Sequence, residues 1–335
     1  MNAPRYDIGM IGAGAWGTAV AIHLAKKGLT VLLWVYEKEL YETLRASRKN
    51  NLYLPSFRLP GSIEFTDCLE MLSGSTEDII IATPSFATRA TIAPVSEILK
   101  GKNILILTKG FEINTLLRMS EVVAETVGGD SRIATLSGPS FAQEVAEGAF
   151  TSVVVSSEDN DFSYYLQTKI HSDNFRVYTS RDIIGVELGG AMKNVMAIGA
   201  GIIEGLGLGS NARAAFITRA LAEIKRLGKA LGAKETTFMG LSGIGDLILT
   251  AYGNLSRNRA FGIELANGKR PEDVIRARKF VVEGYYTIKA AYTLALNSGI
   301  EMPITRELYR ISYEGKDLTA SIAEIKTRVL KEEDE

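Results

Sequence analysis

The stretch Ile8-Gly9-Met10-Ile11-Gly12-Ala13-Gly14-Ala15-Trp16-Gly17-Thr18-Ala19 decides the fold. Residues 6–11 read as a strand and residues 18–27 as a helix stopped by Gly28, so residues 12–17 form a G-x-G-x-x-G turn between them. Each glycine answers a different steric demand. Gly12 allows the tight turn, Gly14 lets a pyrophosphate approach the backbone, and Gly17 lets helix and strand pack closely, while the helix N-terminus offers N–H groups to an anion. A purely structural glycine turn is the plain alternative. A second strand at 30–36 supplies the βαβ context and ends at Val35-Tyr36-Glu37-Lys38, where an adenosine ribose would lie. Glu37, about 20 residues beyond Gly17, is placed to accept a ribose hydroxyl. Lys38, Arg45 or Arg48 would instead meet a 2′-phosphate, so NAD and NADP both stay open.

Outward from this turn, short apolar runs alternate with helical segments. Strands are expected at 6–11, 30–36, 78–83, 103–108, 132–136, 152–155 and 175–178, forming one mostly parallel, doubly wound sheet. Between them, 18–27, 40–47, 87–98 and 116–126 read as helices. Past residue 182 the strand signal vanishes, and helices are expected at 183–203, 212–231, 259–266, 271–278, 288–297, 305–313 and 321–331. The chain therefore divides into a dinucleotide-binding domain, 1–184, and an all-helical substrate and catalytic domain, 185–335. The acidic end, 331–335, reads as a solvated tail.

Composition narrows the chemistry. The 335 residues carry a net charge of −1, which supplies no general field for nucleic acid or anionic lipid. Residues 8–25 are uncharged and superficially resemble a signal or membrane segment, but glycines and His23 interrupt the run, so a cytoplasmic protein without membrane insertion is expected. One cysteine, Cys68, and two histidines, His23 and His171, make a poor metal site, and none is expected. An acid or base would then be Lys, Asp, Glu or Tyr.

Five segments carry candidate chemistry. Lys109 follows the 103–108 strand, where ligands of doubly wound folds bind. Gly138 and Ser140 follow the next strand; Ser140 with Gln143 spells a capping box, and the same helix start would suit an anion or a nicotinamide. In 185–201, Gly189, Lys193, Ala197 and Gly201 form an i, i+4 row, so Lys193 stands among residues with almost no side chain. Either it snorkels to water from a helix–helix contact, or burial lowers its pKa into a useful range for exchanging a proton with a substrate oxygen. Asp246 lies in apolar, glycine-marked text and needs a partner if buried, with Lys193 the candidate; a helix cap is the alternative. Ser256 is a natural N-cap, and Arg257 and Asn258 behind it form either a phosphate site or a solvated basic turn.

These residues resemble the bacterial NAD(P)-dependent glycerol-3-phosphate dehydrogenase family. The resemblance rests on residues 12–19, Thr108-Lys109-Gly110, residues 137–142 and 189–194, Gly243-Ile244-Gly245-Asp246-Leu247, Ser256-Arg257-Asn258-Arg259 and Val281-Val282-Glu283-Gly284-Tyr285, in family order. It implies reversible hydride transfer between NAD or NADP and C2 of dihydroxyacetone phosphate, giving sn-glycerol 3-phosphate for phospholipid synthesis. By similarity, Lys193 is the proton acceptor in oxidation, with Lys109, Gly138, Ser140, Asp246, Ser256, Arg257 and Asn258 lining the substrate site. Ala15, Trp16, Tyr36, Lys109, Ala142, Arg257, Val281 and Glu283 match cofactor positions beside Gly12, Gly14 and Gly17. Relatives vary at Ala15, Trp16, Tyr36 and Ser140. The implied fold is a Rossmann-like domain plus an all-α domain of the 6-phosphogluconate dehydrogenase C-terminal type, as a homodimer.

Rival readings are a short-chain dehydrogenase, from Tyr285-Tyr286-Thr287-Ile288-Lys289, a dehydrogenase of hydroxyacids or ketoacids, and a dinucleotide-sensing protein without turnover. The Tyr-x-x-x-Lys pattern falls in helical text far beyond the last strand, and a sensor has no need of Lys193 and Asp246.

Overall fold

In a computed structural model, residues 6–278, 280–327 and 332 are described. The strands are β1 (Ile8–Ile11), β2 (Val31–Trp34), β3 (Lys49–Asn50), β4 (Leu54–Arg58), β5 (Ile63–Thr66), β6 (Asp78–Ile81), β7 (Asn103–Ile106), β8 (Arg132–Ser137), β9 (Thr151–Ser156) and β10 (Phe175–Ser180). Eight of them make one sheet in the order β10-β9-β8-β7-β6-β1-β2-β5, and β3 and β4 form a separate hairpin. All seven expected strands are present. Met10 of β1 sits between Leu33 of β2 and Ile80 of β6, each pair parallel. Alternate residues feed two cores: Met10, Leu33, Ile80 and Leu105 on one face, Ile11, Leu32, Ile79 and Ile104 on the other. Burial on both faces is why these strands read as unbroken apolar runs.

The sheet departs from the expected pattern in three places. β9 runs antiparallel to β8, and β10 follows β9, so the last two strands are reversed. β5 and the β3–β4 hairpin carried no clear signal, since Glu64 and the exposed Pro55 and Ser56 interrupt any apolar run. The helix expected at 87–98 is broken into short turns, Ser85–Ala87, Thr88–Ile92, Ala93–Val95 and Ser96–Leu99, with Pro94 inside the third. Proline removes a backbone donor and clashes with the preceding turn.

The last strand ends at Ser180, and the helix Ile183–Gly205 begins behind Asp182, whose side chain accepts from the Gly185 N–H at 3.0 Å. By length and composition that helix would cross a membrane, but 94% of its apolar window is buried inside the protein. It is the axis of the helical half. Its glycines serve close crossing: a Cβ on Gly201 would lie 2.1 Å from the Arg259 carbonyl oxygen, and one on Gly262 would lie 2.0 Å from that of Ile198. The backbones of Ile183–Gly205 and Arg257–Ala266 therefore touch, which brings Arg257 and Asn258 toward Lys193. Residues 328–331 of the expected last helix, and all of the expected acidic tail except Glu332, lie outside the described residues.

Candidate active site

The glycine turn is built to receive an anion. Gly12 has φ +118°, a value that L side chains rarely adopt, and a Cβ there would meet the Ala82 carbonyl oxygen at 2.7 Å. A Cβ on Gly14 would meet nothing within 4 Å, so its outer face is open. Gly14 opens the helix Ala15–Lys26, whose first turn holds no acidic residue and no side-chain cap. Its N–H groups and positive dipole end are left for a ligand. Gly17 lies under the turn, where a Cβ would collide with the Gly12 carbonyl oxygen at 2.2 Å. The Ala13 carbonyl is held by the Asn50 amide at 2.8 Å and the Thr18 hydroxyl at 3.1 Å. These features fit a dinucleotide pyrophosphate.

A cleft of about 1120 Å³ runs from this turn to the helical half. Gly12, Gly14, Ala15, Trp16, Tyr36 and Glu37 line it, as do Lys109, Ser140, Ala142, Lys193, Ser256, Arg257, Asn258, Val281 and Glu283. Gly138 and Asp246 lie beneath the surface. The Gly138 carbonyl accepts from Lys109 Nζ at 3.3 Å and from the Ser140 hydroxyl at 2.9 Å. Asp246 has no exposed surface.

The electrostatic centre is a carboxylate shared by two lysines. Asp246 Oδ1 accepts from Lys193 Nζ and Oδ2 from Lys109 Nζ, each at 2.6 Å. The expected Lys193–Asp246 pair is present; the second lysine was not anticipated. Burial pushes the Lys193 ammonium down to about 8, with Lys109 acting in the same direction and Asp246 opposing. For Asp246, burial raises the carboxyl, but the two ammonium groups outweigh it and hold it below the ordinary range. Small residues make room for the cluster: a Cβ on Gly189 would lie 2.2 Å from the Ser242 carbonyl oxygen, and one on Gly190 would lie 3.4 Å from Lys109 Cδ.

The surrounding hydrogen bonds add residues that the sequence did not single out. The Thr250 hydroxyl lies 3.0 Å from Lys193 Nζ. Asn258 donates to Asn194 Oδ1 and accepts from the Gly284 N–H, both at 2.9 Å, so its side chain braces the wall. Ser256 caps its helix by accepting from the Arg259 N–H. Burial lowers the Arg257 guanidinium against the pull of Glu283, and burial raises Glu283, whose carboxylate accepts from the Ser85 N–H and hydroxyl.

Two sequence expectations are corrected or set aside. The Ser140–Gln143 capping box is not made: Phe141 occupies the N-cap, Ser140 bonds Gly138, and Gln143 donates to Glu147. Ser140 lies one residue before the N-cap Phe141, and its hydroxyl turns back on the loop. Tyr285 of the Tyr-x-x-x-Lys pattern stacks on Tyr313 within the helical half, and Lys289 is exposed. Among the described residues no group of three or more His, Cys, Asp or Glu is placed to hold a metal ion.

Comparison with known proteins agrees over nearly the whole chain. Residues 7–163 match the family model of the NAD-dependent glycerol-3-phosphate dehydrogenase N-terminus, and residues 182–323 match that of its C-terminus. A glycerol-3-phosphate dehydrogenase [NAD(P)+] from Syntrophotalea carbinolica is 46% identical over 330 residues, covering 98% of this chain and 99% of its own. One from Geobacter sulfurreducens is 45% identical, covering 97% of this chain and 98% of its own. The crystal structure of glycerol-3-phosphate dehydrogenase from Coxiella burnetii superposes with a TM-score of 0.93 at 40% identity, covering 97% of this chain and 100% of that one. The chain belongs to the NAD-dependent glycerol-3-phosphate dehydrogenase family.

Proposed function

We infer that the cleft carries out the reaction of a glycerol-3-phosphate dehydrogenase [NAD(P)+], with Lys193 as its proton-transfer group. The protein is an oxidoreductase acting on a CH–OH group. When bound, NADH or NADPH supplies the hydride for C2 of dihydroxyacetone phosphate, and the oxidised dinucleotide takes it back from sn-glycerol 3-phosphate. The glycine turn and the Ala15–Lys26 helix start hold the pyrophosphate, with Ala15, Trp16, Tyr36, Ala142, Val281 and Glu283 along the same cleft.

Lys193 acts at the reacting oxygen. As the ammonium it polarises the ketone and gives up a proton; as the amine it takes the proton from the alcohol. A pKa near 8 makes both forms available close to neutrality. Asp246, ionised between Lys193 and Lys109, fixes both side chains and offsets their mutual repulsion. Arg257, at a helix start beside Ser256 and Asn258, receives the substrate phosphate, so that a non-reacting group orients the carbonyl. Ser140 completes the wall beside Lys109, and the Gly138 carbonyl beneath it accepts from both side chains.

The observation that carries this reading is the single buried carboxylate bridging two lysines within the cleft that begins at the glycine turn. The family resemblance supports a division at 184/185 into cofactor and substrate domains, a cytoplasmic homodimer and a role in phospholipid synthesis. The test is direct. Dihydroxyacetone phosphate with NADH or NADPH should give loss of the reduced-nicotinamide absorbance; no oxidation of either would sink the reading.

A further inference from the structure

We propose that this chain selects NAD(H) over NADP(H) through Glu37, and that Tyr53 and Asn50 position that carboxylate relative to the glycine turn. The proposal rests on the reading of the cleft as a dinucleotide site.

Glu37 follows β2 and lines the cleft, where a ribose would lie. Its Oε1 accepts from the Tyr53 hydroxyl at 2.5 Å. Burial and then the hydrogen bond to Glu37 push the Tyr53 phenol up, so it stays protonated and donates to that carboxylate. The Tyr53 N–H is in turn bonded to Asn50 Oδ1 at 2.9 Å, and Asn50 Nδ2 reaches the Ala13 carbonyl at 2.8 Å. One relay through the β3–β4 hairpin therefore ties the pyrophosphate turn to the carboxylate at the ribose end. With one oxygen engaged by Tyr53, the other is left to accept from a ribose hydroxyl.

Of the cations that would answer a 2′-phosphate, Arg48 is committed elsewhere, and Arg45 and Lys38 stand outside the cleft. The Arg48 guanidinium donates to the carbonyls of Leu59, Pro60 and Ile63 and lies over the Phe65 ring. Arg45 lies over Tyr41, and Lys38 is exposed; none of the three lines the cleft. Asp67 and Glu70, just beyond β5 beside β2, add carboxylates to the cleft wall. Among the described cleft residues the cations are Lys109, Lys193 and Arg257, of which Arg257 acts on the Tyr53 phenol. A dianionic 2′-phosphate would meet Glu37 directly, whereas a ribose hydroxyl would donate to it.

The test is equilibrium binding, measured by calorimetric titration of the full chain with NADH and with NADPH in the absence of substrate. NADH should bind tighter by about ten-fold or more, the scale of one hydrogen bond to a charged group. Glu37→Gln should collapse that ratio. Tyr53→Phe, which keeps the ring, should reduce it by a smaller factor, with melting curves confirming that both variants are folded. Equal affinities, or tighter NADPH binding as expected if Arg257 receives the 2′-phosphate, would overturn the preference while leaving the dinucleotide reading intact. No binding of either would instead remove that reading. A ratio unchanged in Tyr53→Phe would remove Tyr53 from the positioning role.

Discussion

Lys193 and Asp246 come from two different helices and meet with Nζ 2.6 Å from Oδ1, while the same carboxylate reaches Lys109 beyond the sheet through Oδ2. One buried anion thus fastens the sheet half to the helical half at the point where the chemistry is placed. It also keeps Lys193 chargeable, because desolvation alone would favour the neutral amine.

That balance sets the pH dependence. With the Lys193 ammonium lowered to about 8, chiefly by burial, the neutral amine needed for oxidation accumulates as pH rises through 8. The kcat/KM for sn-glycerol 3-phosphate oxidation should climb through that range and level off above it. Reduction needs the ammonium, so its kcat/KM should be level below the same midpoint and decline above it. Profiles recorded in both directions check the sign, and parallel rises in the two would contradict it.

Asp246→Asn removes the charge but keeps the shape. Lys193 and Lys109 then face each other without an anion between them, and the midpoint of the oxidation profile should move to lower pH. Loss of one partner of a buried ion pair is expected to cost about 3–5 kcal/mol of stability. Denaturant unfolding and the pH profile measure the two effects; an unshifted midpoint would mean that Asp246 does not act on Lys193.

Two glycines separate binding from folding. Gly14 has φ −63° and open space at its Cβ position, so Gly14→Ala should change stability by less than about 0.5 kcal/mol. Its methyl group would intrude on the pyrophosphate, and dinucleotide affinity should fall. Gly189→Ala would press a methyl against the Ser242 backbone and should destabilise by about 1–3 kcal/mol. Unfolding curves and NADH titrations of the two variants give the comparison, and unaltered NADH affinity in Gly14→Ala would count against the cradle.

The legible part of this molecule is the part dictated by local sterics and by the cost of burying charge. The turn at 12–17 declared its strand and helix because each glycine has a steric reason, and Asp246 declared a partner because an unpaired carboxylate cannot lie in apolar surroundings. Strand direction has no such signature: Thr151–Ser156 alternates as a strand would in either sense, and its reversal became visible only in its pairing with β8. Lys109 was marked by its place after a strand, but its bond to Asp246 spans 137 residues of chain and depends on how the two halves meet. Asn50 and Tyr53 sit in a short hairpin without periodicity, so their links to Ala13 and Glu37 were hidden.

The central claim is that Lys193 exchanges the proton with the substrate oxygen. Turnover of dihydroxyacetone phosphate by Lys193→Ala, in protein shown by titration to bind NADH as the unsubstituted chain does, tests it most directly. Loss of a positioned acid or base predicts a fall in kcat of about 10²–10⁴-fold with dinucleotide affinity retained. Turnover within a few-fold of the unsubstituted protein would contradict the assignment.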